Sequence, residues 1–204
     1  MDTKLLDLEQ PNTIASAGSF DFTIKIWDIN TYESIYSLQE NFNMSFLLKL
    51  RTKEIMVSGG NGNSISFWNI NTFTKEHSTS CCNCSLNGLS ELPDHHIAVS
   101  GGESSTINII NTENYQRIKQ IECKDYITSG NGYSSLYVLN DGTFIYSHKG
   151  CFCQISSIAT YEILFKLKMA NEFRGEAVTS SSNGKYIIMN NDKQGISIFR
   201  INFI

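Results

Sequence analysis

The sequence holds two prolines and two tryptophans among 204 residues, and it has no surplus of basic charge. The formal charge is −4, and no cluster of Lys and Arg stands out. Nucleic-acid binding through phosphate neutralisation is therefore disfavoured. Its apolar runs are only a few residues long, far short of the ~20 that a membrane-crossing helix needs. MDTKLLDLEQ, at the start, has no apolar leader core. With no export route in sight, the expectation is an intracellular, cytoplasmic protein with six reduced cysteines. Asn43-Met44-Ser45 and Asn83-Cys84-Ser85 fit the glycosylation pattern but read as chance in that compartment. No segment carries a helical stripe of useful length, and Pro11 and Pro93 both fall at junctions between extended runs.

What the sequence does have is a phrase written more than once. TIKIWDINT begins at Thr23, and SISFWNINT begins at Ser64, with Trp27 and Trp68 41 residues apart. HIAVSGGESSTINIINT continues the pattern from His96, so that Thr23, Ser64 and Thr106 are equivalent. Leu5, Leu6 and Leu8 return 42 residues later as Leu47, Leu48 and Leu50, and again as Leu89 and Leu92. INTYESIYSL, from Ile29, matches IATYEILFKL, from Ile158. GISIFRIN, from Gly195, matches TIKIWDIN with Phe199 in the Trp27 position. Five copies of one unit thus account for nearly the whole chain, with approximate boundaries 1–40, 41–82, 83–125, 126–170 and 171–204.

Each unit is a set of short runs with period-two alternation. TIKIW sets Ile24 and Ile26 on one face and Lys25 and Trp27 on the other. Such runs between Gly, Asn, Asp and Ser clusters are strands. The first unit divides into a (Leu5 to Glu9), b (Thr13 to Gly18), c (Thr23 to Ile29) and d (Ser34 to Gln39). Four antiparallel strands per ~40–45 residues predict an all-β fold, a β-propeller of about five four-stranded blades. The last unit closes on strand c with no strand d after it. The array either forms a five-bladed ring or stays open, and an incomplete propeller, or part of a larger one, is favoured over the closed ring. An open arc leaves ends suited to self-association or to receiving a strand or blade from elsewhere.

At Gly18 to Asp28 the residues resemble the WD-repeat family, with a turn aspartate at Asp21 and the closing pair Trp27-Asp28. In that family the aspartate takes part in a hydrogen-bond network, usually with a His from a Gly-His pair. Here Gly62 and Ser104 replace Asp21 in the next two units, Trp68 is followed by Asn69, and no Gly-His pair precedes any unit. The resemblance therefore implies a propeller with little of that network, held mainly by apolar packing between blades. It also implies a non-catalytic scaffold with protein partners. The structural residues are Asp21, Trp27, Asp28 and Trp68; the contact residues are Phe20, Phe22, Asn61, Asn63, Glu103 and Lys149, in b-to-c stretches.

Two other functions are open to the sequence. An enzyme with a central-channel site would draw on Asp7, Glu9, Lys49 and Glu91 of the inner strands, which form no recurring arrangement. A metal- or redox-responsive protein would use Cys81, Cys82, Cys84, Cys123, Cys151 and Cys153. Their spacing, C-C-x-C and C-x-C, is not that of paired C-x-x-C knuckles, and small buried thiols are the plainer expectation. GGNGNS (from Gly59) and SGNGYS (from Ser129) lack the following Lys-Ser or Lys-Thr of a phosphate loop and read as turns where Gly and Asn supply positive φ. His77, His95, His96 and His148 have no metalloprotease spacing, and Asp94-His95-His96 reads as a solvated turn. No catalytic residue, metal or cofactor is expected.

Overall fold

The computed structural model describes residues 4–18, 21–81, 85–101, 106–122, 134–139, 142–148, 152–168, 178–181, 186–191 and 195–200. Alternation of side chains across short strands produces nineteen of them there, in five antiparallel sheets. Blade 1 is β1 (Lys4–Asp7), β2 (Thr13–Ala17), β3 (Thr23–Asp28) and β4 (Glu33–Gln39). Blade 2 is β5 (Met44–Lys49), β6 (Ile55–Gly60), β7 (Ser64–Asn69) and β8 (Thr74–Ser80). Blade 3 is β9 (Leu86–Leu92), β10 (His96–Gly101), β11 (Thr106–Asn111) and β12 (Arg117–Glu122). Blade 4 is β13 (Ser134–Val138), β14 (Thr143–His148), β15 (Phe152–Ser157) and β16 (Ile163–Lys168). Blade 5 has three strands among the described residues, β17 (Val178–Ser180), β18 (Tyr186–Asn191) and β19 (Gly195–Arg200).

Each sheet is a meander in which a strand pairs with the next in sequence. Register repeats with the sequence: Ile14 faces Trp27, Met56 faces Trp68, and Ile97 faces Ile110. The c–d pair shifts register at one recurring place, beside Trp27, Trp68, Ile110 and Ser156. A bulge at that point bends strand c and increases its twist, which helps a flat meander become a blade.

Strand c ends the same way in four blades. Asp28 Oδ1 accepts hydrogen bonds from the backbone N–H groups of Asn30 (2.7 Å) and Thr31 (3.3 Å). Asn69 Oδ1 does the same for Asn71 and Thr72, and Asn111 Oδ1 for Glu113 and Asn114. Ser157 Oγ accepts from the Thr160 N–H. A short oxygen-bearing side chain closes its own turn in this way. Asn69 therefore does the turn work of Asp28, because that work needs an acceptor oxygen rather than a charge.

The apolar cores lie between blades. Ile24 and Ile26 of blade 1 are buried with Met44, Met56, Trp68 and Ile70 of blade 2. Ile65 and Phe67 meet Ile97 and Val99 across the next boundary, and Ile107 and Ile109 meet Phe144 and Tyr146 across the third. Each fully buried aliphatic or aromatic side chain contributes roughly 1.5–3 kcal/mol. The inner strands pack in series, β1 on β5, β5 on β9, β9 on β13 and β13 on β17. The series does not return to blade 1 with a comparable contact among the described residues. Among the described residues no helix is long and apolar enough to cross a membrane.

Candidate functional site

The meander sets two kinds of loop on opposite ends of every sheet. The b–c turns and the d–a linkers share one end; the a–b and c–d turns share the other. Phe22, Asn61 and Asn63 stand on the b–c end of two neighbouring blades, and all three are exposed. Phe22 has φ of 54° and Asn63 of 59°. The Phe22 carbonyl accepts the Glu40 N–H at 2.8 Å and Gln39 Nε2 at 3.3 Å. That tie fixes the turn and leaves the ring outward. The Asn63 carbonyl accepts the Cys81 N–H at 3.1 Å, so the b–c turns of blades 1 and 2 are both tied to the linker beside them. Phe20, Glu103 and Lys149 lie outside the described residues.

Asp21 sits on the same turn. Its Oδ1 accepts the Thr23 N–H at 3.2 Å. The Thr23 hydroxyl is the main cause that holds the Asp21 carboxyl below its ordinary range; the Thr23 N–H adds to it. Trp27 bonds elsewhere: its Nε1–H donates to Ser16 Oγ at 2.8 Å.

Blade 2 carries a polar network of different composition from the one the family resemblance implied. Trp68 Nε1–H donates to Ser58 Oγ at 2.9 Å, and the Ser58 hydroxyl donates to Glu40 Oε1 at 2.8 Å. Lys75 Nζ meets Glu40 Oε2 at 2.8 Å and lies 4.6 Å from the Trp68 ring centroid. The Glu40 side chain is 1% exposed. A buried carboxylate is tolerable because both oxygens are partnered. Apolar packing is thus not alone at this boundary. Sequence reasoning passed over Glu40, although Ser16, Ser58 and Ser100 recur at steps of 42 and mark the strand-b hydroxyl.

The linker that carries Glu40 is pressed under the blade 2 turn. A Cβ on Gly60 would fall on the Asn43 carbonyl, and one on Gly62 would fall on the Phe42 ring. The glycines of GGNGN are there for close approach. Among residues 59–63, positive φ belongs to Asn63 and not to the glycines, which corrects the expectation that Gly supplies it.

The remaining candidates have structural partners. Glu9 pairs with Lys49 at 2.9 Å, and Glu91 accepts the Arg51 N–H at 2.9 Å and approaches Arg51 Nε at 3.3 Å. These inner-strand charges link consecutive blades. His96 is no solvated turn residue: it opens β10, and its Nδ1 lies 2.8 Å from the Tyr161 hydroxyl. His77 stacks on Tyr115. Cys81 is buried with its thiol 3.6 Å from the Asn63 carbonyl. Cys82, Cys84, Cys123 and Cys151 lie outside the described residues, and Cys153 falls in β15. Among the described residues no group of three or more His, Cys, Asp or Glu is placed to hold a metal.

Comparison with known proteins agrees with this geometry. The model of the WD domain, G-beta repeat, matches residues 8–28, which run from the end of β1 to the end of β3. Over 76 residues the chain is 34% identical to a CCR4-associated factor 4 homolog of Vanderwaltozyma polyspora, covering 36% of this chain and 11% of that protein. A chain in the crystal structure of the mitotic checkpoint complex superimposes on 93% of this chain at a TM-score of 0.74 and 16% identity. The match spans 59% of that longer chain, so this sequence is shorter than either of these two proteins. Residues 8–28 thus match a WD repeat, and the fold of the sheets is that of a β-propeller of about five blades.

Proposed function

We propose that this chain is a non-catalytic scaffold that binds protein partners through its b–c end, in the reducing cytoplasm. The observation that carries the reading is Phe22. A large aromatic is held outward on a turn by two hydrogen bonds to its carbonyl, on the same loop end as Asn61 and Asn63. A rigid aromatic framed by adaptable polar groups is the composition of an interaction hot spot. The fold itself supports a general binding role by analogy, since function resides in the site that a propeller presents.

The test compares partner capture by the intact chain with capture by Phe22→Ala and by Asn61→Ala/Asn63→Ala. The expected result is loss of the same partners, by at least about tenfold for Phe22→Ala, as for a residue worth more than ~1.4 kcal/mol at a protein interface. An unchanged unfolding temperature confirms that the fold survives. Equal capture by the intact chain and both variants rejects this face as the binding surface.

A further inference from the structure

The c–d turns place an aromatic with positive φ at one repeat position: Tyr32, Phe73, Tyr115 and Tyr161 have φ of 54–62°. Three of them lean back onto the preceding blade. Phe73 meets Tyr36 with ring centroids 4.4 Å apart. Tyr115 meets His77 at 4.5 Å and Phe67 at 4.6 Å. Tyr161 bonds and edges onto His96. Tyr32, on blade 1, has no described blade to lean on and is 83% exposed.

Two more positions behave alike. Ile70 and Ile158 are buried in the cores they share with the preceding blade, whereas their counterpart Ile29 is 45% exposed. Leu47 packs on the core between blades 1 and 2 and Leu89 on that between blades 2 and 3, whereas their counterpart Leu5 is 70% exposed. The opposite half of the interface is uncovered at the other end of the array. Ile24 and Ile26 are fully buried under blade 2, and their counterparts on blade 5, Ile196 and Ile198, are 70% and 63% exposed.

We propose that these two faces are a complementary pair: blade 1 of one molecule packs through Leu5, Ile29 and Tyr32 on the Ile196 and Ile198 face of blade 5 of a second copy, head to tail. The contact continues an interface that the chain already makes three times, between blades 1 and 2, 2 and 3, and 3 and 4. It is heterologous, so copies add in one direction until the ring closes or a filament grows. It uses blade faces rather than the b–c end and is independent of the scaffold reading; Phe22→Ala leaves it unchanged.

Light scattering across a concentration series tests it with the full chain. The head variant is Ile29→Ser/Tyr32→Ser, and the tail variant is Ile196→Ser/Ile198→Ser, all at exposed positions. The wild type is expected to gain mass with concentration. Each variant alone is expected to stay at the monomer mass of 23.0 kDa. An equimolar mixture of the two is expected to reach twice that mass and stop, because each retains one good end. Thermal unfolding verifies the variants, and Ile198→Lys replaces the tail variant should it unfold. A wild type that stays monomeric up to its solubility limit overturns the proposal. So does a folded variant that associates as the wild type does, or a mixture of folded variants that stays monomeric.

Discussion

Tyr115 stacks on His77 across the boundary between blades 2 and 3, with ring centroids 4.5 Å apart and planes 11° from parallel. The Tyr115 hydroxyl donates to Glu76 at 3.1 Å. Replacing it with Ala removes the stack and the packing on Phe67, at a cost of about 1–2 kcal/mol. Thermal or urea unfolding of Tyr115→Ala measures that loss, and Tyr115→Phe should retain most of the stability.

The same residue predicts an alkaline effect. Burial, and then Glu76, raise the Tyr115 phenol above its ordinary 10.0; burial, and then Asp94, raise Tyr161. The fold therefore favours the neutral phenol. The resulting stability is complete below pH 10 and is lost as pH rises through the raised values. Unfolding followed between pH 9 and 12 should show a steeper decline for the wild type than for Tyr115→Phe/Tyr161→Phe.

Glu40 joins the d–a linker to Ser58 and Lys75. Glu40→Ala strands the Ser58 hydroxyl and leaves the Lys75 ammonium to water, at a cost of about 2–3 kcal/mol. Lys75→Met alone leaves a buried carboxylate without its counter-charge. The pair Glu40→Met/Lys75→Met should lose less than the two single changes added, which a double-mutant cycle in urea unfolding measures.

Gly60 and Gly18 should respond differently to Ala. At Gly60 the added Cβ meets the Asn43 backbone, and at Gly18 it meets only the end of the Asp21 side chain. Backbone cannot step aside as a carboxylate can, so Gly60→Ala costs about 2–3 kcal/mol and Gly18→Ala under about 1. Urea midpoints of the two variants decide it, and equal losses contradict the placement of the linker under the turn.

Asp21 serves its own turn through Thr23, with no described bond to Trp27 or Ser16. Asp21→Ala should loosen blade 1 by only about 0.5–1 kcal/mol. The carboxyl is depressed in the fold, so its contribution is present above its ordinary value of 3.8 and is lost as pH falls through the lowered value. Wild type and Asp21→Ala should converge in stability on acidification. Ser104, in the equivalent stretch of blade 3, lies outside the described residues.

Much of the fold was legible because recurrence and alternation coincide. The spacing of Trp27, Trp68 and their neighbours located strands c, and Pro11 and Pro93 do lie between strands a and b. The partners of Glu40 were not legible. They lie 18 and 35 residues away and depend on how a linker tucks beneath a turn, and nothing comparable recurs at that position in the text of the repeat. The aromatics at Tyr32, Phe73, Tyr115 and Tyr161 were visible as letters, but their direction follows from a positive φ that spacing does not encode. Phe22, by contrast, stood out beside the turn aspartate and stands outward in the fold.

Hydrogen exchange on the intact chain with a captured partner bound tests the scaffold reading most directly. The account predicts new protection at the b–c turns, residues 21–22 and 61–63, with the inner strands unchanged. Protection confined to the inner strands or to the c–d turns, with the b–c turns exchanging as before, would contradict it.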